Sequence, residues 1–319
     1  MRQLGNTDIN ITPVGMGCWP IAGMTSLDVN DTDSLATLHA AIDRGINFFD
    51  TAYCYGANGE SERLIRQGLG DRRDEIVIAT KGGIHWRPDG TRVFDASPDR
   101  LKIECDESLQ RLGTDRVELL YLHAPDPNVP VADSAGALKT LMDAGKTCCV
   151  GVSNFSVEQL EEFHAVCPIS AVQPPYNLLQ REIESDIIPW CLKHNASCII
   201  YWPLLKGLLA GKLKRDHVFR QGDGRPKYPM FQGEQWEKNQ DFVDDLRHIA
   251  SDIDKTVAEL VVAWTIAQPG ITAALCGAKR ATQIEETSGG MGWELDAGIT
   301  AKIEEALVRR GEIVSKPAV

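Results

Sequence analysis

A chain of 319 residues with 43% hydrophobic content is long enough for one large domain or two ordinary ones and can bury a sizeable core. Its net charge of −12 argues against nucleic acid and anionic membrane surfaces as partners, since both require basic patches. Nine cysteines without regular spacing, no leader with a charged start and apolar core, and no apolar run approaching a spanning length point to a reducing, cytoplasmic setting.

In chain order, Leu4 and Ile9/Ile11 flank the turn-rich Gly5-Asn6-Thr7-Asp8 and predict a hairpin that plugs the bottom of a barrel. Pro13 to Gly17 predicts the first barrel strand, with Cys18 and Trp19 at its top; Trp19 is either core or a pocket wall. Leu35, Leu38, Ala41 and Ile42 recur at helical spacing after Asp31, and Gly45 stops that helix. Asn47-Phe48-Phe49 predicts a buried strand, followed by a helix from Gly59 to Gln67. Ile76 to Lys81 is a β-branched run of the kind buried on both faces. A long loop, Gly82 to Ala96, follows, and Ser97-Pro98 caps a helix through Leu112.

The strand from Val117 through His123, a helix from Ala132 to Ala144 and a strand around Cys148-Cys149, read as core, continue the alternation. Gly145-Lys146-Thr147 lacks the first glycine of a phosphate loop and reads as a helix stop and strand start. Ser156 and Gln159 have capping-box spacing. Ala171 to Gln173 is a short strand, Ile183 to His194 a helix, and Ser197 to Trp202 the seventh strand. An irregular stretch, Leu204 to Gln240, leads to helical segments through Ile266, the eighth strand Ile271 to Cys276, and a last helix from Asp296 to Arg310. Eight alternations without a composition break predict one α/β domain over 1–319: a closed (β/α)8 TIM barrel with an N-terminal β-hairpin and an extra C-terminal helix.

Polar groups with no packing reason to be present stand at three successive strand ends: Asp50 and then Tyr55, Lys81, and His123. On one rim of a parallel barrel they suit carbonyl reduction, where hydride arriving at carbon leaves negative charge on oxygen and a proton must be supplied. Tyr55 is the natural donor, with Lys81 expected to lower its pKa, Asp50 to hold Lys81, and His123 to orient the carbonyl. No GxGxxG opens a βαβ unit, and no CxxC pair or His/Cys cluster marks a metal site. The start of the helix after the eighth strand, Gly277 with Lys279 and Arg280, combines backbone amides and fixed positive charge suited to phosphate.

DTAYCYG, IATKGG, LLYLHAPDP and GVSNFSVEQL together resemble the aldo-keto reductase superfamily, over Leu4 to about Leu307, and look nearest to its bacterial general-stress or inositol-utilisation-like members. The resemblance implies that Asp50, Tyr55, Lys81 and His123 form the catalytic tetrad. It also implies cofactor contacts from Gly17, Cys18, Asp50, Ser153, Asn154, Gln173, Tyr201, Pro203, Leu204, Gly207, Gly277, Lys279, Arg280, Gln283 and Glu286. Within that set Ser153, Asn154 and Gln173 would hold the carboxamide, Tyr201 would stack on nicotinamide, and Gly207 would approach the pyrophosphate. The basic pair favours NADPH, with NADH possible. Trp202 and Thr287 depart from the small residue and the asparagine common at those positions. Trp19, Tyr55, Trp86 and His123 would line an aromatic substrate pocket, while Trp86, Phe231 and Trp236 lie in loops and either line it or pack on the barrel. The expected activity is NADPH-dependent reduction of small-molecule aldehydes or ketones. The alternatives are a cofactor-binding regulatory module resembling potassium-channel β-subunits and an NAD(P)-dependent sugar or polyol dehydrogenase.

Overall fold

In the computed structural model, which describes residues 1–24 and 27–314, strands β1 (Arg2–Gln3) and β2 (Asn10–Ile11) pair antiparallel. The barrel begins with β3 (Val14–Gly17), helix α1 (Asp31–Asp43), β4 (Phe48–Asp50), α2 (Glu60–Leu69) and β5 (Val77–Gly82). A second hairpin, β6 (Ile84–Trp86) with β7 (Arg92–Phe94), precedes α3 (Pro98–Leu112) and β8 (Val117–Leu122). Then come α4 (Val131–Asp143), β9 (Thr147–Ser153), α5 (Val157–His164), β10 (Ala171–Gln173), α6 (Ile187–His194) and β11 (Ser197–Tyr201). Helices α7 (Gly233–Ser251) and α8 (Val257–Ala267), strand β12 (Ile271–Gly277), α9 (Ala281–Ser288) and α10 (Ala297–Arg310) complete the chain. Eight parallel strands close in the order β3-β4-β5-β8-β9-β10-β11-β12, and β12 pairs back onto β3.

The barrel strands are buried on both faces along most of their length, with Cys148 near the start of β9 and Gly277 at the end of β12 exposed. One set of side chains, Phe48, Ala79, Leu119, Tyr121, Cys149, Ala171, Ile199 and Ala273, fills the barrel interior together with Leu4 and Ile11 of the first hairpin, which therefore seals the bottom. The alternate set faces the helices: Phe49, Ile78, Leu120, Val150 and Ile200 join Leu38, Leu109, Leu160 and Trp264 in a second cluster. A large apolar side chain removed from water in this way contributes about 1.5–3 kcal/mol. Gly151 is required by close approach, because a Cβ there would lie 2.5 Å from the Tyr121 ring.

Helix termini follow their local chemistry. Ser156 and Gln159 make the expected capping box, as do Thr256 and Glu259 on α8. Ser97 does not cap α3 with its side chain; Pro98 at the first helical position starts the helix alone. Gly145, at φ 74°, stops α4 before β9.

Four expectations need correction. The segment 82–96 is not a loop: Asp89 and Gly90, the latter at φ 83°, lie in the turn between β6 and β7, which pair Ile84 with Phe94, His85 with Val93 and Trp86 with Arg92. The irregular stretch ends early, since α7 starts at Gly233, so Trp236 is helical and, with Phe231, buried in the outer core. Cys148 is exposed whereas Cys149 is buried, the ordinary alternation of a strand. The helix read from Ile183 begins at Ile187, after a short 3-10 turn. The additional helical layer is α10 packed on α7, the latter an insertion between β11 and α8. Among the described residues no helix is long and apolar enough to cross a membrane.

Candidate active site

Strand β4 is only three residues long, and Asp50 at its C-terminal end is 2% exposed. Lys81 lies near the end of the neighbouring β5, with Asp50 in register beside Ala79. Lys81 Nζ reaches Asp50 Oδ1 at 2.5 Å and also donates to Thr51 O at 2.8 Å and to the Tyr55 hydroxyl at 3.4 Å. His123, immediately after β8, presents its ring to Tyr55 at a centroid distance of 5.8 Å. The four residues read from three strand ends are thus brought together at one rim.

Burial shifts Asp50, His123 and Tyr55. It pushes Asp50 upward, while Lys81 and the Gln173 amide, which donates to Asp50 Oδ2 at 2.8 Å, pull it back. It holds His123 well below the ordinary histidine range, with the Lys81 and Arg92 charges adding to the effect, so the imidazole is neutral. The Tyr55 phenol is likewise raised well above its ordinary value, by burial first and then by the Asp50 carboxylate. This corrects the expectation that Lys81 would bring it down: burial and the Asp50 carboxylate outweigh the ammonium, which lies 2.5 Å from Asp50 and 3.4 Å from the Tyr55 hydroxyl. Tyr55 is held as a proton-bearing phenol.

Both aromatic pocket candidates stand beside this group. Trp19 makes an edge contact with Tyr55 at 4.9 Å between centroids. Trp86, on β6, packs with Tyr55 and Phe94 against Ala52, Cys54, Ile84 and Ala124, and its indole nitrogen donates to Cys54 O at 2.7 Å. The β6–β7 hairpin is anchored from below by Glu104 of α3, which accepts from Gly83 N at 2.6 Å. The same peptide's other end, Gly82 O, accepts from His123 N at 2.9 Å. Burial raises Glu104 to about 7. Glu104 and Cys54 escaped sequence reading; only a carboxylate on the inward face of α3, opposite a double glycine, could have signalled the first.

The residues expected to meet a cofactor line the adjoining rim. Ser153 Oγ donates to Gln173 O at 2.8 Å, and Asn154, at φ 62°, donates to Ser153 Oγ and to His123 O. Tyr201 at the end of β11 donates its hydroxyl to Asn154 Oδ1 at 2.8 Å. Gly17 and Gly277 lie side by side where β3 meets β12; the Cys18 side chain is buried and turns back on Met16 O, while its N–H donates to Asp50 O and its carbonyl accepts from Ser61 Oγ. On either side of Pro203, Trp202 before it and Leu205, Lys206 and Gly207 after it all adopt positive φ, between 42° and 88°. Three of these are not glycine, and strain of this kind persists where surroundings fix a ligand clamp. Leu204 O closes the loop by accepting from Gly207 N.

Lys206 lies over the rings of Trp202 at 4.0 Å and Tyr228 at 4.5 Å, and burial lowers it to about 8. Lys279 Nζ donates to Leu27 O at 2.5 Å and pairs with no carboxylate among the described residues. Arg280 bonds Asp28 O and sits 3.1 Å from Asp33, and Arg220 pairs with Asp28. Gln283 accepts from Lys279 N at 2.9 Å, Glu286 is paired with Lys212, and Thr287 bonds back into its own helix at Gln283 O. In a chain of net charge −12, this gathering of cations beside a strained glycine-containing loop fits a group bearing phosphates. Among the described residues no group of three His, Cys, Asp or Glu is placed to hold a metal ion.

Residues 13–308 match the Aldo/keto reductase family. The chain belongs to that family. It is 36% identical over 299 residues to the aldo-keto reductase YhdN of Bacillus subtilis, covering 92% of this chain and 89% of the relative. It is 32% identical over 312 residues to the aldo-keto reductase yakc [NADP(+)] of Schizosaccharomyces pombe, covering 96% and 90%. Among solved structures it superposes on a glycerol dehydrogenase from Gluconobacter oxydans with a TM-score of 0.92 and 34% identity, covering 100% of this chain and 98% of that one. This aldo-keto reductase is therefore an oxidoreductase that uses NAD(P)H to act on small-molecule carbonyls.

Proposed function

We propose that the protein is a reductase of aldehydes and ketones that prefers NADPH, with Tyr55 as proton donor, Lys81 and Asp50 as its electrostatic support, and His123 as the group that orients the carbonyl. The observation that carries this reading is the convergence of Lys81 on both Asp50 and Tyr55 beside a neutral His123. Bound NADPH would supply the hydride. Tyr55 gives its proton to the carbonyl oxygen as negative charge develops there, and a positioned acid of this kind is worth about 10²- to 10⁴-fold in rate. Lys81 then stabilises the phenolate left behind. Trp19 and Trp86 exclude water and favour apolar or ring-bearing carbonyls.

Ser153, Asn154 and Gln173 would hold the carboxamide, with Tyr201 beneath the nicotinamide ring. Gly17, the Cys18 backbone, Pro203, Leu204, Gly207 and Gly277 would line the remainder of the groove. Lys279 and Arg280 would take the 2′-phosphate, which favours NADPH over NADH, and Gln283 and Glu286 would frame the adenosine end. The relative named for NADP(+) supports that preference. Single-domain organisation over 1–319 and a cytoplasmic location, supported by eight buried thiols, complete the reading.

The glycerol dehydrogenase neighbour supports a second reading, oxidation of a polyol by the same residues run in reverse. Purified protein assayed for NADPH oxidation with aromatic and aliphatic aldehydes, and for NADP+ reduction with glycerol and larger polyols, separates the two. Faster turnover of aldehydes at neutral pH supports the reductase, and faster turnover of polyols there supports the dehydrogenase. Tight cofactor binding with no turnover of either class would overturn both.

A further inference from the structure

One close contact of the site has no part in the chemistry described above. Cys54 lies in the turn between β4 and α2, one residue before Tyr55, and is 3% exposed. Its Sγ is 3.6 Å from His123 Nδ1, and its own carbonyl is fixed by the Trp86 indole at 2.7 Å. The backbone that carries the thiol is thus tied to the β6–β7 hairpin.

A neutral imidazole has one N–H and one acceptor nitrogen, and the partner of one nitrogen decides the state of the other. Burial pushes the Cys54 thiol up to about 12 and holds His123 well below its ordinary range, so both partners are neutral near pH 7 and no thiolate–imidazolium pair forms. Sulfur is a weak acceptor, whereas an imidazole nitrogen is a good one. The favourable arrangement is therefore S–H donating to Nδ1. The proton of the ring then resides on Nε2, the nitrogen free to donate to a carbonyl oxygen. The opposite tautomer would direct an Nε2 lone pair at the oxygen and repel it.

We propose that Cys54 is a positioning residue for His123: its thiol donates to Nδ1 and holds the imidazole in the tautomer whose Nε2–H meets the substrate oxygen. The inference rests on the reading of His123 as the carbonyl-orienting group. It assigns a role to a position that neither supplies nor accepts a proton in the reaction.

The test is nitrogen NMR of the histidine rings in the wild-type chain, in Cys54→Ser and in Cys54→Val, with His123→Ala assigning the signal. NADPH affinity and carbonyl kinetics are measured on the same samples. The expected wild-type spectrum has a protonated Nε2 and an unprotonated Nδ1 that does not titrate between pH 6 and 8. Cys54→Ser keeps that tautomer and keeps kcat within about threefold. Cys54→Val fills the space without a donor, mixes the tautomers and lowers kcat about tenfold with NADPH affinity changed less than twofold. A wild-type His123 protonated at Nδ1, or a Cys54→Val chain with unchanged tautomer and kcat, would overturn the proposal. If instead His123→Ala turns over carbonyls as fast as wild type, it is the reading of His123 that fails, whatever the tautomer.

Discussion

Replacing Lys81 by Met separates the electrostatic function of the buried pair from its packing. Lys81 is fully buried, with its ammonium on Asp50 at 2.5 Å and on Thr51 O at 2.8 Å, and the Asp50 side chain is 3% exposed. Methionine keeps an unbranched apolar chain but leaves Asp50 with the Gln173 amide as its remaining polar partner. Removing one member of a buried pair costs about 3–5 kcal/mol, because the charge left behind is uncompensated. The loss carries a pH signature. Without Lys81, burial holds the folded-state Asp50 pKa further above its unfolded value of about 3.9. A carboxyl raised in this way is protonated in the folded chain while already ionised in the unfolded one, so its stability is fully present at low pH and declines as pH rises. The slope is about 1.4 kcal/mol per pH unit over the range where the two states differ by one proton. Urea denaturation of wild type, Lys81→Met, and the double variant Asp50→Asn with Lys81→Met, at pH 5 and pH 8, reads this directly. The single variant loses more stability at pH 8 than at pH 5, and the double variant recovers most of the pH 8 loss. A loss below about 1 kcal/mol, or one equal at both pH values and unrelieved by Asp50→Asn, would refute the reasoning.

Changing Lys279 and Arg280 together to Ala is expected to weaken NADPH by ten- to a hundredfold and NADH by less than threefold, read by fluorescence titration; equal weakening would mean these charges do not meet the 2′-phosphate. Because Tyr55 is raised above its ordinary value, reduction needs a phenol that stays protonated and is expected to be flat in kcat from pH 6 to 9, while alcohol oxidation, which needs the phenolate, climbs across the same range. A reduction rate that falls below pH 8 would contradict this. Gly83→Ala places a Cβ at φ 96° and 2.9 Å from Leu122, so it is expected to destabilise by about 1–3 kcal/mol and to raise KM for aromatic aldehydes more than the Kd for NADPH. Unchanged KM would detach the β6–β7 hairpin from the pocket.

The barrel and the cluster of four residues at its rim were legible because the signals that carry them are local: apolar runs of strand length, helix stops and caps, and polar residues standing where such runs end. Asp50, Tyr55, Lys81 and His123 each follow an apolar run, and their closure onto one rim is a consequence of parallel topology. The β6–β7 hairpin was obscured by its Gly, Pro and Asp content, although Asp89-Gly90 between Trp86 and Arg92 is a turn signal. The α7 start was masked because Gly233 opens it without a side-chain cap. The raised Tyr55 pKa could not be read from neighbours in sequence, because it depends on how completely the phenol is buried and on how near the Asp50 carboxylate lies. Glu104 and Cys54 act through contacts to Gly83 N and His123 Nδ1 that only the folded chain brings within reach.

The most direct test of the central claim compares Tyr55→Phe with wild type for both NADPH affinity and turnover of an aromatic aldehyde. Phenylalanine preserves the ring against Trp19 and removes only the hydroxyl that Lys81 reaches. Loss of at least about a hundredfold in kcat with NADPH affinity unchanged within threefold is the predicted result, in keeping with removal of a positioned acid. Retention of more than a tenth of the wild-type kcat, or an equal loss of NADPH binding, would contradict the assignment of Tyr55 as the proton donor.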